Sequence, residues 1–277
     1  MTLSPLQVEL DRLDARLRIL LPEQYQDDYQ SVEPTSMGSA GLKFDADGNV
    51  AWDAIWQTFC DLAMAGGPPH KGTLLEPGDP SAINADPDGY ERVVNEICRG
   101  IGLAADLPTT REVQPGWVQV HCYSATMADW LARAIVMENV SARSVGLMLY
   151  LPAGPQFRID KEIKNVVTVI AKTTHYWTGH MSRSQKALIA DLFQRMAEES
   201  PLIELMAHGR TQWDGTNAGS VKRAVWIMRA LAAFNVMARR EGTTVFVPRN
   251  TDADPLSAIA GAAVAAVAQL ADAAEIR

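Results

Sequence analysis

The chain has 277 residues, 47% of them apolar, which is ample for one large core or two ordinary ones. A net charge of −8 and a pI near 5.2 argue against a protein devoted to phosphate backbones, which call for a basic surface. Three well-separated cysteines, Cys60, Cys98 and Cys122, fit neither a disulfide framework nor a zinc-finger spacing.

The opening MTLSPLQVELDRLDARL reaches charge too early for a secretory signal. No uncharged apolar run approaches the roughly 18–20 residues that a membrane span requires. The expectation is a cytoplasmic protein with neither a membrane nor a nucleic acid among its partners. Leu6, Leu10, Leu13, Leu17 and Leu20 alternate in steps of four and three, a narrow stripe on a helix that Pro22 ends. The stripe is too short for a free-standing coiled coil, so it either docks on its own body or pairs with a second subunit. Residues 23–40 read as an acidic linker, and 1–40 as an N-terminal helix and its tether.

The rest of the chain echoes itself. Residues 117–154 laid on 213–250 give twelve identities in 38 positions without a gap, where composition alone gives about two or three. The shared residues include Trp117/Trp213, Ser124/Ser220, Trp130/Trp226, Arg133/Arg229, Asn139/Asn235, Arg143/Arg239, Gly146/Gly242 and Pro152/Pro248. Ser is a natural N-cap, about twenty helix-favouring residues follow, and Arg suits the negative end of the helix dipole. Gly then suits the left-handed position past a helix end. A strand follows in each copy, LMLYL and TTVFV, and Pro stops it.

A weaker match of 42–56 with 149–163 puts Asp53 and Asp160 where each could cap a helix. Further helices are expected near 88–103 and 183–199, and an Ala-rich one closes the chain. The expected fold is helix-rich α/β (α+β), an internally duplicated β-α-α-α unit with a small sheet and an approximate twofold axis. The first copy spans 41–152 and the second 153–277.

Ala224 to Ala238 is apolar except for Arg229 and Asn235, so that helix is central and buried. A buried guanidinium needs a partner. Arg133 and Arg229 either bond internally, to Asp53, Asp160 or backbone carbonyls, or fork onto an anionic ligand with Asn139 and Asn235 beside them. His121 and Cys122 precede the first long helix and have no counterpart in the second copy, which marks them as catalytic candidates. Adjacent residues on a strand point to opposite faces, however, so His121 would not activate Cys122 directly.

GGPPHKGT has Lys and Gly in the wrong order for a phosphate loop, and two prolines remove donors. The segment is read as a rim, with His70 in the ligand-binding set. His175 and His180 are five apart, not the spacing that places two imidazoles on one helix face, although a bend at Gly179 would bring them together. Even with His70 they complete no recognisable ligand set, so no metal is assigned. His208 belongs to no pattern, and the residues name no cofactor. The functional expectation is an enzyme or binding protein with a pocket between the two copies for an anionic small molecule. The alternative is a non-enzymatic, homo-oligomeric assembly protein, and a homo-oligomer is expected under either view.

Overall fold

The computed structural model describes residues 4–27, 41–55, 60–111, 114–203, 212–249 and 255–276. Among these residues the chain folds into eight α-helices and two small antiparallel sheets, a mixed helix and sheet architecture. His208 and most of the acidic linker lie outside the described residues.

Helix α1 (Pro5–Leu20) is capped by the Ser4 hydroxyl and has proline in its first turn, where no N–H is needed. Its leucine stripe docks on the chain's own body. Leu13, Leu17 and Leu20 are buried, while Leu6 at the free end is exposed. The helix end is tied down by Gln185, whose amide donates to the Leu21 carbonyl, and by Trp130, whose Nε1 donates to Leu20 at 2.8 Å. Beyond it, Phe44 and Val50 form a small bridge around a turn, and Trp52–Ala54 is a single 3₁₀ turn. Asp53 lies inside that turn and Asp160 inside a π-type turn (Ile159–Ile163), and neither turn has a side-chain cap. The capping role expected of the two aspartates is therefore corrected: the turns begin one or two residues earlier, at Ala51 and Arg158.

Helices α2 (Pro80–Ala85) and α3 (Pro87–Ala105) lead into the first sheet. It comprises β1 (Thr109–Arg111), β2 (Trp117–His121), β3 (Arg143–Val145) and β4 (Met148–Pro152), in the order β1-β2-β4-β3. Between β2 and β3 runs α4 (Ala125–Met137), capped by Ser124. Val118, Val120, Leu149 and Leu151 are buried on the sheet face, and α4 packs against β3 and β4. Helices α5 (Lys164–Gly179) and α6 (Arg183–Glu199) follow, and α5 packs between α3 and α4.

The second sheet, β5 (Gln212–Asn217), β7 (Thr244–Arg249) and β6 (Arg239–Glu241), has the order β5-β7-β6. Here α7 (Val221–Ala233), capped by Ser220, joins β5 to β6. The two sheets have matching registers: Trp117 faces Pro152 as Trp213 faces Pro248, and Arg143 faces Tyr150 as Arg239 faces Phe246. Helix α8 (Pro255–Ala273) packs on α7, β7 and α1.

The long helices end earlier than the residues suggest. Instead of running to Arg143 and Arg239, they stop at Met137 and Ala233. Asn139 (φ 60°) and Asn235 (φ 63°) take the left-handed positions just past the two ends. Gly146 and Gly242 do adopt positive φ, but in the tight link between two strands rather than at a helix end. The arginines are strand residues stacked on aromatics. Arg143 lies over the rings of Trp117 and Tyr150, and Arg239 over those of Trp213 and Phe246, at 4.3–4.8 Å.

Candidate functional site

The polar residues singled out in the two long helices are turned inward. Arg133 donates to the Asp129 carbonyl at 3.0 Å and to the Asn235 Oδ1 at 2.8 Å, and stacks over Phe193. The Arg229 Nε donates to the Met64 carbonyl at 2.7 Å. Asn139 donates to the carbonyls of Lys71 and Arg240, both at 2.7 Å, and Asn235 to that of Ser200 at 2.8 Å. These partners are backbone carbonyls and, for Arg133 and Asn235, one another.

His121 and Cys122 lie at the far end of β2. The His121 ring lies 3.2 Å from the Thr110 hydroxyl. Cys122 is buried, and burial together with Asp129 pushes its thiol up to about 12, which favours the protonated thiol. Of the tryptophans shared by the two matching stretches, Trp117 and Trp213 serve as arginine platforms and Trp130 is fully buried. Trp226 instead lines a shallow groove with α1 and the residues after α8.

Several of these bonds converge on one segment, residues 60–71, which carries His70. It threads between the two sheet-bearing units and is held from both. From the first unit, Glu138 accepts the backbone N–H groups of Ala63 at 2.9 Å and His70 at 3.0 Å, and Asn139 grips Lys71. From the second, Arg229 donates to Met64 and Arg240 donates to the Gly67 carbonyl at 3.4 Å.

Glu138 also meets Lys172 of α5, Nζ to Oε1 2.8 Å, with both side chains fully buried. Burial works against the Lys172 ammonium, but Glu138 and Cys60 together raise its pKa above the ordinary lysine value. Its Nζ lies 3.3 Å from the Cys60 sulfur. Burial raises the Cys60 thiol despite Lys172, so the sulfur stays protonated in the resting protein. Alongside runs a second polar chain, in which the Tyr25 hydroxyl donates to Asp61 and lies 2.9 Å from that of Tyr176.

The His70 ring sits at the edge of this cluster. Burial first, then the charges of Lys172, Lys164 and Lys71, lower its pKa to about 3, so the imidazole is neutral. Its Nδ1 is buried and has no hydrogen-bond partner among the described residues, an arrangement that calls for an explanation. A neutral imidazole can donate or accept one hydrogen bond there, and the lysines supply positive potential.

Sequence reasoning placed His70 in the ligand set but missed Cys60, Glu138 and Lys172. A signal for them was present. Lys172 is a lone charge in the run VVTVIAKTTHYW, and the position matching Glu138 in the second unit is Phe234. A single charge in an apolar stretch of helix is a buried ion in search of a partner. Compared with known protein families, curated proteins and solved structures, the chain matches none.

Proposed function

We propose that the chain is an internally duplicated small-molecule-binding protein whose site for an anionic ligand is the cationic recess around His70, at the junction of the two copies. The carrying observation is the buried His70 Nδ1, which has no hydrogen-bond partner among the described residues and lies within electrostatic reach of Lys71 and Lys164 as well as of Lys172, itself paired with Glu138, in a chain of net charge −8. The lysines attract the anion and the neutral ring orients it by a hydrogen bond. Duplication is supported by the matched registers, the paired Asn residues at positive φ and the two arginine–aromatic stacks. The polar cluster takes Cys60 and Glu138 from the first copy and Lys172 from the second, and Phe234 at the position matching Glu138 leaves it without a counterpart ion pair there, as expected when a duplicated scaffold keeps one functional site. Free Cys60, Cys98 and Cys122 fit a reducing, cytoplasmic setting.

The experiment is native mass spectrometry of the protein as purified, with inorganic phosphate titration followed at the His70 imidazole by NMR. A retained anionic mass, or a phosphate-induced His70 shift, that disappears in Lys71→Ala supports the site. A bare protein whose His70 resonance ignores phosphate removes it.

A second reading, a homo-oligomeric assembly protein, draws on α8. Among the described residues it alone is long and apolar enough, by length and composition, to cross a membrane, and only 22% of it is buried. Ala258, Ala262, Ala265 and Ala266 are exposed along it. If they pack against a second copy, Ala262→Asp lowers the mass measured by light scattering. An unchanged mass removes that reading.

A further inference from the structure

We propose that His175 and His180 form a binding site for a divalent first-row transition cation of the zinc, nickel or copper type, at the C-terminal end of α5. The two Nε2 atoms lie 3.1 Å apart, with His175 exposed and His180 half-buried. The rings meet edge to face, 4.9 Å between centroids at 69°, so the two nitrogens converge on one point and neither ring covers the other. A cation at the usual zinc–imidazole length of about 2.0–2.1 Å from both would see them at about 100°, between the square and tetrahedral angles. Without metal, the two rings are joined by one hydrogen bond between their Nε2 atoms, whose proton sits on one of them. A cation can take that proton's place with little movement of either ring.

The backbone explains why a spacing of five works. His175 lies in the last turn of α5, Gly179 is its final residue, and His180 is the cap beyond it, at φ −121° and ψ 7°. A helix would carry the second ring past the first, and the chain leaves the helix just in time to prevent that. The last carbonyls and the dipole of α5 also favour positive charge at this end. Tyr176 anchors the same turn. Its ring is buried against both imidazoles, and its hydroxyl lies 2.9 Å from that of Tyr25. The pair therefore stands on a fixed helix end rather than on a free loop.

No third His, Cys, Asp or Glu joins the pair among the described residues. The remaining coordination positions are left to water or to an incoming ligand, as in metal centres that keep positions open.

The test is calorimetric titration of Zn²⁺ into untagged, chelator-stripped protein, with Cu²⁺ paramagnetic resonance as a second readout. One Zn²⁺ per chain is expected, with a Cu²⁺ spectrum showing coupling to two imidazole nitrogens. His175→Ala and His180→Ala should each lower the affinity by at least about tenfold, with the metal-free circular dichroism unchanged. Should either alanine variant misfold, the glutamine variant at the same position takes its place. Wild-type protein that takes up no Zn²⁺, or variants whose affinity falls by less than that, overturns the proposal.

Discussion

The ammonium of Lys172 lies 2.8 Å from the carboxylate of Glu138, and neither side chain touches solvent. The carboxylate also accepts two backbone N–H groups from the segment that carries His70, so one ion pair helps to fix the position of residues 60–71. Removing one partner strands a buried charge. Lys172→Met should cost about 3–5 kcal/mol in denaturant unfolding. Glu138→Gln keeps an acceptor for one N–H and should cost less than Glu138→Ala. The raised pKa of Lys172 sets the pH sign: its stabilisation is full below the ordinary lysine value of 10.5 and is lost as pH rises through the folded value. Alkaline unfolding of Lys172→Met should therefore begin from a lower plateau and lack that component. A variant as stable as wild type would show that the pair does not hold the segment.

His70 gives a dependence of opposite sense. In the folded chain it resists protonation down to about 3, against an ordinary value of 6.5. Between those values the unfolded chain binds a proton that the folded chain refuses, so stability falls as pH drops. The slope from this one group reaches at most about 1.4 kcal/mol per pH unit. His70→Gln should flatten the acid limb of the stability curve over that window. An identical slope in wild type and variant would mean that the ring is not held neutral.

Asn139 combines two demands in one residue. Its φ of 60° disfavours residues with a Cβ, and its amide bridges the carbonyls of Lys71 and Arg240. Asn139→Gly keeps the backbone and loses the two bonds, at a cost of about 2–3 kcal/mol. Asn139→Ala adds the strain of the left-handed backbone and should cost about 1–2 kcal/mol more. Equal losses would assign the position to hydrogen bonding alone.

Much of this architecture can be read from residues, and the misses have physical causes. The span expected for α6, 183–199, coincides with the helix, because Ser182 caps it and Pro201 follows. The ends of α4 and α7 were set too late, because Val140, Ala142 and Arg143 are compatible with a helix locally. What ends α4 is tertiary: Asn139 turns the chain, and Val140 bridges to Leu75. The recess was half visible. His70 stood out by its Gly-Pro surroundings, but the meeting of Lys172 with Glu138 is a long-range contact that no local spacing encodes. The pairing of His175 with His180 was legible only as the consequence of a bend at Gly179, and the helix does end there, with His180 as its cap.

The two arginine stacks offer a paired test of the proposed duplication. Arg143 and Arg239 each lie between two aromatic rings, and Arg239 also meets Glu241 at 2.5 Å. Lysine keeps the charge but loses the planar face that stacks. Arg143→Lys and Arg239→Lys should each cost about 1–2 kcal/mol in denaturant unfolding. If only one matters, the two positions share residues without sharing a role.

The two candidate sites hold cysteines in different surroundings. Cys122, beside His121, is buried with its thiol pushed up to about 12, whereas Cys60 is half-exposed and touches Lys172. Both thiols are raised, so access sets the order of reaction. Brief alkylation of the native protein near neutral pH should label Cys60 well before Cys122, as read by peptide mass spectrometry. Cys122→Ala should leave phosphate binding at the His70 site unchanged, because the bonds that hold segment 60–71 come from Glu138, Asn139, Arg229 and Arg240. Alkylating Cys60 should weaken that binding, since the added group is forced against the Lys172–Glu138 pair. Preferential labelling of Cys122 would mean that the end of β2 opens in solution, and would return His121 and Cys122 to the centre of the chemistry.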